Sequence, residues 1–313
     1  VFRHLFDFYR YDTKQGGKPR RLKLVYRGDQ LRDPIVRRIV DRASEAVFSK
    51  DGLEVAFISG GDLWAMDTVL CEPRQITNTP PEERHPVFSP DGNAILYVSD
   101  GIDGCHIWRA ERKNPDKFWW QNNIFARKQI TKESADRIRL SWSPDGSQIA
   151  FVQGRGDLWV IKPNGEDASK VVDSWNTVDY DWSPDGKWIV YARSNNDFNR
   201  DIFLLPLDGS RKPFNLSRHP DNDYRPVWSP NGKMIAFTGR RVGEEIDIHF
   251  VHLQKSEDDE GSRDRKLKEA IEKIEKVRKK KPDEKPTDKS KESDKKPGEN
   301  AQKKLPEVTI DFH

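Results

Sequence analysis

The chain has 313 residues, a formal net charge of +3 at pH 7 and an apolar content of 34%, which is low for a globular protein. The shortage of apolar residues is concentrated in residues 254–304, which contain no aromatic residue and are dominated by Lys, Glu, Asp and Ser. The small net charge gives no reason to expect nucleic-acid binding, and no apolar run approaches the length that spans a membrane. The sequence therefore predicts partners other than nucleic acid or membrane.

Residues 1–24 hold two short strand patterns, one at 7–11 and one at 20–22, and both patterns return later in the chain. They match the second half of a repeating unit, so the chain is expected to be a fragment of a longer protein. In a fragment, the lack of a visible targeting signal gives no information about the compartment. The compartment stays open, with the cytoplasm favoured and the periplasm as the alternative.

A five-residue cassette follows, in which an aromatic residue precedes Ser, Pro, Asp and Gly. Pro, Asp and Gly are the residues that a tight turn requires, and a short apolar run after each copy is typical of a strand buried on both faces. The copies occupy residues 48–52, 88–92, 142–146, 182–186 and 228–232, and two of them depart from the pattern at Lys50 and Asn231. Their glycines lie 40, 54, 40 and 46 residues apart, about the length of one propeller blade.

Two further strands follow each cassette. The third strand opens with Asp before an apolar pair in four units, at Asp62, Asp157, Asp201 and Asp247, whereas His106 stands there in the second unit. A fourth strand is expected near residues 75–77, 129–131, 170–172 and 214–216. Four strands per unit predict an all-β fold, a β-propeller of four-stranded blades. Five clear repeats are expected at about 43–80, 84–132, 138–173, 178–218 and 224–253, after a partial blade at 1–24.

The recurring Asp and the cassette aromatic each allow two interpretations. The Asp is a metal ligand or catalytic acid, or it is a turn former that closes a hairpin. The aromatic residue belongs to a ligand cage, or it is a wedge between neighbouring blades. Because both recur in successive units, the structural interpretation is favoured for each. In the second unit, residues 118–120 place three aromatics on a longer loop that either docks a peptide or packs over the blade.

The connection into each cassette supplies the candidate binding residues. In a propeller, these connections lead from an outer strand to the next innermost strand, so they cluster on one face around the central channel. With the cassette aromatic packed between blades, the alternation of side chains along a strand directs other positions towards the channel mouth. These candidates are His85, Arg139, Asp179 and Arg225. The alternative is that they are ordinary polar residues at a strand edge.

The last part of the chain changes character. Residues 254–304 are predicted to be a charged, low-complexity insert, with a weakly amphipathic helix over 262–281 and disorder over 281–304. Residues 305–313 alternate like a strand and are predicted to close the fifth blade or to begin another segment.

Recognisable catalytic machinery is missing from the sequence. It contains no nucleophile elbow, no zinc-protease motif and no phosphate-binding glycine loop. The seven histidines are scattered, and the two cysteines, Cys71 and Cys105, lack metal-type spacing. The sequence therefore predicts no catalytic residue, no metal site and no cofactor in this chain.

The cassettes, with the Ile-Ala-Phe and Asp-Leu-Trp runs that follow them, resemble the TolB-type propeller repeat over roughly 43–252. A charged insert followed by residues 306–312 resembles the propeller region of bacterial homologues of tricorn protease. In that family, propellers precede a PDZ-like module and a serine-peptidase core. The resemblance implies a non-catalytic region that guides or filters unfolded peptides towards a core absent from this chain. The loops at 81–86, 134–139, 175–181 and 218–225 would meet the peptide.

Other functions stay open. A TolB-like propeller scaffold that binds a protein partner, without enzymatic activity, is the alternative from another class. An independent propeller hydrolase is disfavoured because no nucleophile–base pair is visible. Whether the chain belongs to an enzyme is left uncertain, and so is the formation of a homo-oligomer by the full-length protein.

Overall fold

The computed structural model describes residues 1–4, 7–14, 16–22, 40, 42–101, 104–259, 261–279 and 305–312. The chain forms two compact units, Val1–Asp41 and Arg42–His313. Nearly all of its regular structure is antiparallel β-sheet, as the sequence predicts. The first unit holds one sheet in the order β1-β2-β3, and these strands are Phe2–His4, Asp7–Arg10 and Arg20–Leu22.

The second unit contains five sheets, which we call blades 1 to 5, and each is a simple up-and-down meander. Blade 1 comprises β4–β7, at Glu45–Phe48, Glu54–Ser59, Asp62–Asp67 and Arg74–Gln75. Blade 2 comprises β8–β11, at Glu82–Phe88, Ala94–Gly101, Gly104–Arg112 and Phe125–Gln129. A short 3-10 helix, Trp119–Gln121, lies between its last two strands.

Blade 3 comprises β12–β15, at Arg137–Trp142, Ile149–Gln153, Asp157–Ile161 and Ser169–Val172. Blade 4 comprises β16–β19, at Asp179–Trp182, Trp188–Ser194, Arg200–Pro206 and Phe214–Asn215. Blade 5 comprises three strands among the described residues, β20–β22, at Asp223–Trp228, Met234–Gly239 and Asp247–His252. These sheets are the predicted propeller blades.

A tight turn follows the first strand of every blade and is built in the same way each time. In blade 3, the Ser143 hydroxyl donates to the Asp145 carboxylate at 2.5 Å, and the same carboxylate accepts the backbone N–H of Ser147 at 3.0 Å. Gly146 closes the turn with a φ of 74°, a left-handed conformation that costs glycine little. Blade 5 keeps this arrangement with Asn231, whose side-chain oxygen accepts the serine hydroxyl at 2.7 Å, because the turn needs only an acceptor.

Apolar cores fill the gaps between successive blades. Between blades 3 and 4, for example, Val152 and Leu158 pack with Ile189 and Tyr191. The second strands of blades 1 to 4 are buried on both faces, as their apolar runs predict. Three cassette aromatics are wedges in these cores with exposed fractions of 8%, 6% and 7%, namely Phe88, Trp182 and Trp228.

Blade 5 presents an uncovered apolar face. Ile248 and Phe250 on β22 are 77% and 60% exposed. Ile202 and Leu204 stand at the same distance from the cassette in blade 4, and both are 0% exposed because blade 5 packs on them. In blade 1, the cassette aromatic Phe48 is likewise 63% exposed. Two blade faces built for packing therefore carry exposed apolar side chains.

Two helices follow blade 5, α1 at Lys255–Asp258 and α2 at Ser262–Lys279. The second helix lies where the sequence predicts an amphipathic helix. The predicted disorder at 281–304 lies outside the described residues. No helix among the described residues is both long enough and apolar enough to cross a membrane.

Residues 305–312 lie against blades 4 and 5 without pairing as a strand, where the sequence predicts either a closing strand or the start of another segment. Val308 and Ile310 join the apolar core between these blades. The Phe312 ring lies 5.2 Å from the ring of Phe214 on the outer strand of blade 4. Side-chain packing therefore holds this segment. A hydrogen bond of 2.8 Å from the Asp311 N–H to the carbonyl of Leu253, just after β22, adds to it.

Hydrogen bonds and burial favour a structural role for the recurring Asp and for the central aromatic residue of the blade 2 insert. Asp157 accepts the Ser174 N–H at 2.8 Å, and Asp201 accepts the amide of Asn215 at 2.9 Å, so the recurring Asp ties the third strand to the chain after it. In the insert of blade 2, Trp119 is 0% exposed and donates its indole N–H to a backbone carbonyl at 2.9 Å.

Candidate functional site at the inner rim

The innermost strands of the five blades begin at the end opposite the cassette turns. Neighbouring strands in this series lie side by side, as β4 does with β8, β8 with β12, and β16 with β20. One residue, three places before the cassette aromatic, stands near the start of each strand. We call this set the inner rim, and it consists of Glu45, His85, Arg139, Asp179 and Arg225. Four of the five are the predicted candidates. Glu45 shares their offset and was missed.

Three inner-rim residues lie in β-bulges with a left-handed backbone. Their φ angles are 54°, 55° and 50° for His85, Arg139 and Arg225. The pairing with the second strand shifts register at each of these places. A left-handed conformation costs a residue other than glycine about 1 kcal/mol, and a bulge redirects a side chain. Strain of this kind is concentrated at binding sites, so the inner rim is a functional candidate.

His85 and Glu45 join blades 1 and 2 at the inner rim. The backbone N–H of His85 donates to a Glu45 carboxylate oxygen at 2.6 Å. The same oxygen lies 3.3 Å from the imidazole Nδ1, and both side chains are about one-third exposed. The contact ties two candidate groups into one polar pair that still faces solvent.

A second polar chain joins blades 3 and 4. The Asp179 carboxylate lies between two guanidinium groups, 2.5 Å from Arg139 and 3.0 Å from Arg200. Arg200 is only 13% exposed and also donates to the Thr177 carbonyl at 3.2 Å. Arg139 is 49% exposed, and a guanidinium carries five N–H donors, so this residue keeps donors for a ligand.

The bulge at Arg139 is supported from the neighbouring blade. The Tyr180 hydroxyl donates to the Arg139 carbonyl, and it accepts the Ser141 hydroxyl at 2.9 Å. Burial raises the pKa of Tyr180, so this residue stays a neutral donor. The backbone that carries Arg139 is therefore fixed before any ligand arrives.

Arg225 differs from the other inner-rim residues. Its side chain is exposed and has no hydrogen-bond or ion-pair partner within the described residues. The structure thus brings His85 to Glu45 and Arg139 to Asp179, whereas Arg225 contacts none of the predicted candidates. It presents an uncompensated cation at the inner rim of blade 5.

Two exposed aromatic side chains lie at the same end of the blades. Trp175 is in the loop 175–181, which the sequence predicts to meet a peptide, whereas Phe198 was missed by sequence reasoning. Trp175 is 45% exposed and Phe198 is 72% exposed. Their ring centroids lie 5.4 Å apart with an interplanar angle of 79°. Phe198 also has a left-handed backbone, with φ of 62°. The available signal was the turn between β17 and β18, which has five residues, whereas the equivalent turn in blade 1 has two.

A buried carboxyl lies two residues before His85, in the seam between blades 1 and 2. Glu83 is 1% exposed and accepts the Thr79 hydroxyl at 2.9 Å, while its other oxygen has no partner in the described part of the chain. Its N–H donates to the Gly61 carbonyl of blade 1 at 2.8 Å. Burial raises the pKa of Glu83 to about 7.

In the described ranges, no group of three or more His, Cys, Asp or Glu could hold a metal ion. Cys71 and Cys105 are both free thiols. Burial raises the pKa of the Cys105 thiol, which lies 3.2 Å from the Asp100 carboxylate.

No protein-family model matches the chain, and no curated protein matches it. Among solved structures, it is similar to TolB from Acinetobacter baumannii with 18% identity and a TM-score of 0.46, over 61% of this chain and 46% of that one. It is similar to tricorn protease with 14% identity and a TM-score of 0.54, over 80% of this chain and 25% of that one. A Mycobacterium tuberculosis puromycin-hydrolyzing peptidase aligns with 12% identity and a TM-score of 0.51, over 68% of this chain and 37% of that one.

These likenesses concern the fold. The alignments with tricorn protease and the puromycin-hydrolyzing peptidase support the propeller architecture of the blades. The chain spans less than half the length of each of these three structures. A shared fold at such low identity leaves function to be argued from the inner rim.

Proposed function

We propose that this chain is the non-catalytic β-propeller region of a tricorn-like serine peptidase, and that its inner rim binds unfolded peptides before they reach a catalytic core outside the chain. The observation that carries the proposal is the recurring bulge of blades 2, 3 and 5. It places His85, Arg139 and Arg225 in costly backbone at one position of the blade.

The chemistry of the inner rim suits an extended polypeptide. Such a ligand offers backbone donors, backbone acceptors and side chains of both signs. Arg139 and Arg225 supply donors, and Glu45 supplies an acceptor that is about one-third exposed. Because Arg139 and Glu45 are held by contacts with neighbouring blades, little ordering cost is expected for these two groups on binding.

The likeness to two peptidases supports the catalytic context of this proposal without establishing it. The sequence resemblance to the propeller region of tricorn homologues points the same way. In that arrangement the blades select peptides by shape and polarity, while bond cleavage belongs to a different part of the protein.

Polypeptide binding is tested with Arg225→Asn. Asn tolerates a left-handed backbone, so this variant removes the cation without adding strain. We expect it to weaken the binding of a reduced, alkylated polypeptide by about tenfold, because loss of a charge-assisted hydrogen bond costs roughly 1.5 kcal/mol. Lys212→Asn, in the loop after β18 at the cassette end, is the matched control and should bind as the parent does. Equal binding by both variants would remove the inner rim from the interaction.

The rival function is a scaffold that binds a folded protein partner without any enzymatic role. The two functions separate when cleavage of an unfolded polypeptide is compared between this chain and the longest protein that contains it. Cleavage by the longer protein, with binding alone by the chain, supports the peptidase region. If neither cleaves, the scaffold becomes the better explanation.

A further inference from the structure

Hydrogen bonds fix the two connections that carry the exposed aromatic pair, Trp175 and Phe198. In the turn between β17 and β18, the Asn195 side chain accepts the backbone N–H groups of Asp197 and Asn199 at 2.8 and 3.0 Å. This turn directs Phe198 outwards in a strained conformation in which Asn or Gly would cost less. The chain thus accepts both backbone strain and an exposed ring at one position.

The connection that carries Trp175 is equally fixed. Ser174, before it, bonds Asp157 of blade 3 through its N–H at 2.8 Å. Asn176, after it, donates to the Ser194 hydroxyl of blade 4 at 2.9 Å. Gly156 leaves room for this connection, because a Cβ there would stand 1.8 Å from the Asn176 carbonyl oxygen. Both rings are therefore presented by backbone that is in place before a ligand arrives.

The aromatic pair lies next to the inner rim. Trp175 and Asp179 are four positions apart in the chain, a separation that an extended chain covers in about 14 Å. Between them, the Thr177 carbonyl accepts from Arg200, and Arg200 bonds Asp179. An extended ligand that contacts the aromatic pair can therefore reach Arg139 and Asp179 within about four residues.

The geometry and charge of the pair favour one kind of occupant. The two rings meet edge to face at 79°, and we call the exposed apolar surface of this pair the notch, against which an apolar side chain can pack. Asp197 is exposed beside Phe198 and has no cationic side-chain partner among the described residues. Asp173, two residues before Trp175, is 77% exposed, although Lys170 bonds it and Arg193 also lowers its pKa. The Asp197 carboxylate, which no cationic side chain of the described residues neutralises, repels a polyanion and attracts a cationic group.

We infer that Trp175 and Phe198 bind a bulky apolar side chain of the polypeptide, with Asp197 selecting a basic residue beside it. The inference rests on the proposed function and adds a preference to it. Peptides that pair Phe or Leu with Lys or Arg would be held at the notch, and the following residues would extend along the inner rim.

Three labelled unstructured peptides test the preference by fluorescence anisotropy, one with a central Phe-Lys pair, one with Ala-Lys and one with Phe-Glu. We expect the parent chain to bind the Phe-Lys peptide about tenfold more tightly than either of the others. Phe198→Asn keeps a residue that accepts the left-handed turn, and it should abolish the difference between the Phe-Lys and Ala-Lys peptides. Asp197→Asn should abolish the difference between the Phe-Lys and Phe-Glu peptides.

Val69→Ser is the control, since it removes an apolar side chain that is 81% exposed in the loop at the cassette end. It should bind all three peptides as the parent does. If Phe198→Asn keeps the full preference while Arg225→Asn still weakens binding, the notch is refuted and the proposed function survives. If the parent binds no peptide, both fail. Binding of an oligosaccharide or a single-stranded oligonucleotide that depends on Phe198, in place of peptide, also overturns the inference.

Discussion

His85, Arg139 and Arg225 carry a backbone cost that a glycine at each position would avoid. All three φ angles fall between 50° and 55°, and each residue has a long or ring-bearing side chain. A left-handed conformation is less costly for Asn and Gly, yet none of the three positions holds either. Each of these bulges therefore combines a backbone cost with a polar side chain that glycine would lack.

Glu83 gives a pH dependence at the residue scale. Its pKa is about 7 in the folded chain, because of burial, against an ordinary value of 4.5. The folded state therefore holds a proton that the unfolded state releases, so this stability is fully present below about pH 4.5 and is lost as the pH rises through about 7. The raised pKa corresponds to roughly 3 kcal/mol.

Glu83→Gln mimics the protonated form and should remove this dependence. We expect parent and variant to be similar in free energy of unfolding near pH 4.5, and the variant to be more stable by up to about 3 kcal/mol near pH 9. Urea denaturation at both pH values measures the difference. A constant difference between the two proteins across this range would show that folding does not raise the pKa of Glu83.

The sequence locates the inner rim but not its contacts. The fixed offset from the cassette aromatic was enough to select His85, Arg139, Asp179 and Arg225. It could not show the bulges, because they are shifts of pairing register between the first and second strands of the folded blades. Nor could it show that Arg200 shares the Asp179 carboxylate, because that contact depends on how two blades pack.

At the scale of the element, the cassette turn requires an acceptor oxygen two places after its serine. Asp145 and Asn231 accept in the same geometry from the serine two places before them. Burial alone would raise the pKa of Asp145, but hydrogen bonds from Ser143 and Ser147 lower it, so we expect Asp145→Asn to destabilise the chain, and by less than Asp145→Ala does. Asp145→Ala should cost about 2 kcal/mol, because it removes the acceptor for both Ser143 and Ser147.

Thermal and urea unfolding of the two variants measure this contrast. Asp116→Ala, on the exposed insert of blade 2, provides a control for loss of an aspartate as such. If Asp145→Asn were as damaging as Asp145→Ala, the negative charge rather than the acceptor oxygen would be the stabilising feature of the turn.

Strand identity follows from sequence wherever a turn signal and a buried apolar run coincide. This holds for the second and third strands of the blades, where cassette and apolar run occur together. The sequence pattern is less informative for residues 305–312. There the alternation of Val308, Ile310 and Phe312 also fits a segment that packs its apolar side chains without pairing as a strand. Strand pairing depends on which backbone edge is free nearby, and that is a property of the folded blades.

At the scale of the whole molecule, the charged segment and the segment after it should contribute very differently to stability. Helix α2 has no buried residue among those described, whereas Val308 and Ile310 join an apolar core. Replacing residues 261–304 with a short Gly-Ser linker should leave the midpoint of thermal unfolding nearly unchanged. Phe312→Ala should lower stability by about 2 kcal/mol, because it removes ring contacts to Trp188 and Phe214.

Differential scanning calorimetry compares these two changes in otherwise identical chains. Phe118→Ala is a suitable control for Phe312→Ala, since its ring is 42% exposed at the insert of blade 2. A loss of cooperative unfolding on removal of 261–304 would contradict the interpretation of this segment as a spacer.

The uncovered face of blade 5 has a practical consequence for any study of binding. Ile248 and Phe250 offer an adhesive apolar surface that can capture an unfolded polypeptide without any selectivity. Salts that are excluded from protein surfaces strengthen such contacts, whereas they weaken ion pairs at Arg225. Ammonium sulfate titrations therefore distinguish the two surfaces. Polypeptide binding that strengthens with salt indicates the uncovered face of blade 5, and polypeptide binding that weakens with salt indicates the inner rim.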